Sequence, residues 1–187
     1  VDGRIHALAR AHNQITDDHW GPAPLQALID AEVAAIVDGA ERFVGGGPQI
    51  LLNPQAYSAM ALVIHELVTN SSKYGSLSTD GVIDLSWHRN GNRDLVVRWR
   101  ECGGPPVRPP ERKGFGTTIV ERSVPYDLGG TADARYEEKG FEADFVIPAR
   151  NERALDATLE RALKGSGFRP TGHRLDVVGI CTTCADH

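Results

Sequence analysis

Hydrophobic residues recur at helical spacing in several separate stretches. Within Arg4 to Thr16, Ile5, Leu8, Ala9, His12 and Ile15 form a narrow stripe, too short to be stable alone. It reads as the end of a helix that begins upstream of Val1, one arm of a hairpin or a dimer contact. Trp20-Gly21-Pro22-Ala23-Pro24 breaks the pattern, and Leu25, Leu28, Ile29, Glu32, Val33 and Ile36 start a second amphipathic helix that Gly39 ends. Asn53-Pro54 opens a longer helix, with Asn as N-cap and Pro at the first helical position, ending near Gly75. Along it Met60, Ala61, Ile64, Leu67 and Val68 share one arc, and Glu66, Asn70 and Lys73 lie opposite.

Other runs carry the strand period. Arg42 to Val44 and Ile50 to Leu52 predict a hairpin across Gly45-Gly46-Gly47-Pro48. Val82 to His88 and Asp94 to Trp99 predict a second, turning at Asn90-Gly91-Asn92. Two further strands are expected at Gly130 to Tyr136 and Phe141 to Ile147, the latter alternating Phe141, Ala143, Phe145 and Ile147 against Glu142, Asp144 and Val146. Between these pairs, Glu101 to Pro110 holds two glycines and four prolines and must be a loop; Gly114-Phe115-Gly116 closes it and helical character resumes from Thr117 to Val124. Past Asn151, Ala154, Leu155, Thr158, Leu159, Ala162 and Leu163 give a last helix that Gly165-Ser166-Gly167 stops.

Composition narrows the partners. A net charge of -5 argues against a nucleic-acid or anionic-membrane footprint. No apolar run approaches the roughly 20 residues that span a bilayer, and no signal peptide is visible, so the chain reads as soluble and cytoplasmic. Its 187 residues fit one domain plus attachments, and its start at Val rather than Met reads as a piece of something longer. Three cysteines do not make a disulfide framework. Cys181 and Cys184 have the gap of a zinc half-site near His173 and His187, but no second pair at standard spacing accompanies them.

The polar arc of the long helix is the first candidate for chemistry. Oxygens of Glu66 and Asn70, at i and i+4, can share a hard cation or its water, and Lys73 one turn on can meet an anion. A solvated helix face is the ordinary alternative. Two later motifs favour a nucleotide pocket. Glu101 at a strand end can accept a hydrogen bond from the exocyclic amine of adenine, where guanine presents a carbonyl. Gly103 and Gly104 let the backbone approach the base. Gly114 and Gly116 free backbone N–H groups at a helix N-terminus, a ready triphosphate site with the Thr117 and Thr118 hydroxyls beside it. The loop from Pro105 to Lys113 would be a stiff lid from which Arg108, Arg112 and Lys113 reach phosphate.

The order HELVTNSSKYG, WRECGGPPV, GFGTTIVER resembles the HWE family of bacterial sensor histidine kinases, within the ATPase superfamily that also holds gyrase and heat-shock chaperones. The naming residues of that family fall on His65, Trp99 and Glu101, and the likeness runs from about Arg4 to Arg150. It implies an α/β fold: a two-layer sandwich of a mixed β-sheet and helices, of the Bergerat ATP-binding type, with helical additions at both ends. It also implies three parts: residues 1–19 end a dimerisation and phosphoacceptor hairpin, 20–150 bind ATP, and 151–187 form a C-terminal helix and tail. By resemblance Asn70 ligates magnesium, Glu66 holds a water near it, and His65 joins them as catalytic. The same resemblance places Lys73, Tyr74, Trp99, Glu101, Gly103, Gly104, Arg112, Lys113, Gly114, Phe115, Gly116, Thr117 and Thr118 at the ATP. A core-facing or capping role is the ordinary alternative for His65. The implied activity is transfer of the ATP γ-phosphoryl to a histidine for relay to a response regulator. The family's His-Arg-x-x-Asn acceptor pattern is absent here, so the acceptor belongs to an upstream helix and the protein is not expected to phosphorylate itself alone. The narrow first stripe permits a homodimer. A docking module that has lost ATP binding, and a serine kinase or ATPase on the same fold, are the rival readings.

Overall fold

The structure is a computed structural model that describes residues 3–9, 22–35, 40–107 and 115–151. The chain divides into two compact units, Val1–Ala154 and Leu155–His187. The second unit, with the expected C-terminal helix and the Cys181–Cys184 pair, lies outside the described residues.

The first unit opens with a helical stretch, α1 (residues 3–9). A two-residue strand β1 (Ala23–Pro24) runs directly into α2 (Leu25–Ala34). The long helix α3 (Pro54–Tyr74) starts as its sequence dictates: the Asn53 side chain accepts a hydrogen bond from the Ala56 N–H at 2.8 Å, and Pro54 needs no N–H partner. Strands β4 (Val82–Arg89), β5 (Leu95–Cys102), β6 (Thr131–Glu137) and β7 (Gly140–Ile147) fall close to the predicted runs. Helix α4 (Phe115–Ser123) continues into a π-helical turn, Val124–Leu128, which the sequence pattern did not signal.

One expected hairpin does not form. β2 (Phe43–Gly46) and β3 (Leu51–Leu52) never pair; β2 runs parallel to β4, and β3 pairs antiparallel with β1. Two of the glycines that resembled a loop, Gly45 and Gly46, lie inside β2. Gly45 has φ 113°, and a Cβ there would collide with the Leu85 carbonyl, so glycine at this position lets two backbones approach within the sheet.

Among the described residues the main sheet has five strands in the order β2-β4-β5-β7-β6, antiparallel apart from β2 against β4. Its inner face supplies Ile83, Leu85, Trp87, Val97, Trp99, Ala143, Phe145 and Ile147 to one core shared with Leu28, Ile29, Met60, Ile64, Leu67 and Val120 of the helices. The opposite face is polar. There Arg100 Nη2 donates to both carboxylate oxygens of Asp144 at 2.8 and 2.9 Å, and Arg135 meets the same carboxylate. One sheet face carries the core and the other a charge ladder, so the helices form a single second layer. Because α3 sits in the middle of that layer, Tyr57, Met60, His65, Glu66 and Val68 are all buried although they point in different directions around its axis.

Candidate functional site

The C-terminal half of α3, the end of β5, the first turn of α4 and the β6–β7 hairpin enclose a cavity of about 820 Å³, with α1 across one side. Helical spacing puts His65, Glu66, Asn70 and Lys73 on its wall, and Glu101 arrives from the strand end. Gly116 and Thr117 come from the first turn of α4, and Ala134, Tyr136 and Phe141 supply an apolar side where the two rings meet edge to face at 5.1 Å. The size suits a nucleotide.

Glu101 is held rigidly. It is 6% exposed, its Oε2 accepts the Ser76 N–H at 2.8 Å and its Oε1 accepts the Trp99 indole N–H at 3.2 Å. Burial pushes its carboxyl above the usual range, partly offset by the Ser76 and Trp99 hydrogen bonds. Residue 75 must be glycine here, since a Cβ would strike Glu101 Oε2. Trp99 therefore reaches the site through Glu101: its own side chain is fully buried in the core, beside Phe43, and does not line the cavity.

Glu66 does not sit on the solvated helix face that was the ordinary alternative for its arc. It is 3% exposed, because α1 and α4 close over that side of α3. Arg4 of α1 grips it bidentately, Nη2 donating to Oε2 at 2.9 Å and Nε to Oε1. The carboxylate in turn raises the Arg4 guanidinium above its ordinary value. A Cβ at Gly116 would collide with Glu66 Oε2 and fall 3.3 Å from Arg4 Nη2, so α4 begins directly against the ion pair.

His65 is 7% exposed and its Nδ1 lies 3.0 Å from Glu32 Oε2, itself on a residue 2% exposed. With Glu32 ionised, its carboxylate only accepts, and Nδ1 is then the donor of this bond. A Cβ on Gly3 would come within 3.0 Å of the other ring nitrogen, Nε2. The His65 ring is thus held by a buried partner and also borders the cavity.

Of the other expected site residues, Asn70 is half-buried, Lys73 and Tyr74 are exposed, and all three line the cavity. Gly103, Gly104 and Thr118 do not line it; Gly104 packs on Ser76, where a Cβ would be 2.7 Å from the Ser76 Cα. Arg108, Arg112, Lys113 and Gly114 lie outside the described residues. Phe115 starts α4. Arg4, Glu32, Tyr136 and Phe141 were not singled out from the sequence. Glu32 carried a signal, being a carboxylate on an otherwise apolar stripe; Arg4 carried none, since its partner lies 62 positions away.

Among the described residues no three His, Cys, Asp or Glu side chains gather as a protein-only metal site. Magnesium takes one or two protein oxygens and completes its shell from phosphate and water. The oxygen donors of Glu66 and Asn70, one turn apart on α3 beside the start of α4, fit that requirement.

A mixed sheet backed by one helical layer, with a cavity between its long helix and the strand end, is a fold shared with solved histidine kinase domains. The histidine kinase domain of the blue-light activated histidine kinase from Erythrobacter litoralis superposes with a TM-score of 0.63 at 20% identity, covering 80% of this chain and 74% of that one. The catalytic domain of histidine kinase ThkA superposes with 0.53 at 17% identity, over 68% of this chain and 94% of that one. The HWE histidine kinase family model matches residues 1–49. A blue-light-activated histidine kinase of Brucella ovis is 30% identical over 154 residues, which is 80% of this chain and 32% of that protein; one from Brucella anthropi is 29% identical over 150 residues. In sequence the chain is similar to the HWE histidine kinases. It spans about a third of the length of the curated relatives it matches.

Proposed function

We propose that residues 20–150 bind ATP with magnesium and present its γ-phosphoryl to a histidine on a helix that residues 1–19 complete, for relay to a response regulator. The observation that carries this reading is the convergence of Glu101, Asn70, Lys73 and the first turn of α4 on one cavity. Glu101, held by Ser76 and Trp99, accepts the adenine amine, and the apolar side formed by Tyr136 and Phe141 supports the base. The N–H groups opening α4 and the Lys73 ammonium hold phosphate oxygens. Asn70 offers a metal ligand and Glu66 orients water beside it. Magnesium, when bound, neutralises phosphate charge. The chain's own share of catalysis is positioning and electrostatics, as expected for phosphoryl transfer. Among the described residues no helix is long and apolar enough to cross a membrane.

The test is a melting curve with and without magnesium and a non-hydrolysable ATP analogue. A ligand that binds only the native state must raise the midpoint. A rise that Glu101→Ala removes supports the assignment; no rise in the wild-type protein returns the chain to the docking-module reading.

A further inference from the structure

Arg4 has no part in the nucleotide chemistry described so far, yet it stands at the phosphate end of the cavity. Its guanidinium grips Glu66 and lies against the first turn of α4, where Gly116 leaves room for it. Among the described lining residues the Lys and Arg side chains are Arg4 and Lys73, set against the carboxyls of Glu66, Glu101 and Glu121. A triphosphate entering such a wall meets repulsion from Glu66 unless that carboxylate is neutralised. Arg4 does so with a bidentate geometry that also fixes the direction of both Glu66 oxygens.

We infer that Arg4 is a positioning residue for triphosphate binding, supplied to the ATP cavity by α1, and that the seating of α1 is thereby coupled to nucleotide occupancy. This rests on the reading of the cavity as an ATP site. With Arg4 in place the phosphate end presents the Lys73 ammonium beside a neutral Arg4–Glu66 pair; without it, Glu66 is a buried, unpaired negative charge facing phosphate. Coupling of this kind is reciprocal, so whatever factor α1 seating adds to triphosphate affinity, triphosphate adds to α1 seating. Gly3 reinforces the seating: its lack of a side chain lets α1 lie against the His65 ring that Glu32 holds.

The experiment compares wild type, Arg4→Gln and Arg4→Lys by NMR titration with adenosine and with a magnesium-bound non-hydrolysable ATP analogue, alongside hydrogen exchange at residues 3–9. Arg4→Gln is expected to weaken the triphosphate analogue about tenfold while adenosine affinity holds, with Arg4→Lys between the two. The analogue is expected to slow exchange in α1 of the wild type and not of Arg4→Gln. Equal losses for adenosine and the analogue would make Arg4 a merely structural clamp and overturn the inference, as would unchanged affinity for both. Binding of neither ligand by the wild type would instead overturn the ATP reading itself.

Discussion

At the scale of single residues, two buried carboxylates do different work. Glu32 and His65 satisfy one another inside the helical layer, and removing one member of such a pair strands the other. Glu32→Ala is expected to cost about 3 kcal/mol in urea unfolding. Adding His65→Leu to that variant should restore part of the loss, and simple additivity of the two changes would show that the pair does not exist in solution. Glu101 is buried beside the cavity, with the Ser76 and Trp99 N–H groups on its oxygens. Burial raises its carboxyl above the ordinary 4.5, so the folded protein holds that proton more tightly than the unfolded chain. Its contribution is therefore fully present below pH 4.5 and is lost as pH rises through the raised folded value. Melting temperatures of wild type and Glu101→Gln should accordingly diverge above pH 4.5, the wild type losing ground. A pH-independent difference would remove the buried-acid account. Its motif pointed to Glu101 directly, because a carboxylate between Trp99 and two glycines at a strand end is a local pattern. The burial of Glu66 was hidden, since it depends on what two distant helices lay over α3.

At the scale of elements, the Arg42 side chain gathers the carbonyls of the segment joining α3 to β4. Arg42 donates to the carbonyls of Gly81, Ser76, Leu77 and Thr79, tying down the turn whose Ser76 N–H positions Glu101. A lysine cannot span these carbonyls with one ammonium. Arg42→Lys should lose about 2 kcal/mol of stability and weaken adenine binding by loosening Glu101. Chemical denaturation and nucleotide titration read the two effects separately, and an unchanged value in both would contradict this role. Local pattern sufficed for α3, whose Asn53-Pro54 start is written in two residues, and for the β4–β5 and β6–β7 hairpins, whose partners adjoin in sequence. It failed for β2 and β3. Their partners β4 and β1 are remote, and a glycine-rich stretch that looks like a loop becomes a strand when another backbone needs to come close. The π-helical turn after α4 was equally invisible, because it is set by how Val124 and Leu128 reach the core.

At the scale of the whole molecule, one sheet face and one helical layer leave a cavity along the C-terminal half of α3, and the residues that spacing grouped are brought there from α3, β5 and α4. The account centres on phosphoryl transfer from ATP held in that cavity. Its most direct test joins the chain at its N-terminus to a helical hairpin bearing an acceptor histidine and supplies γ-labelled ATP with magnesium. The account predicts acid-labile label on the hairpin of the wild-type protein and none with Asn70→Ala. Absence of label from the wild type, or full labelling of Asn70→Ala, would contradict it.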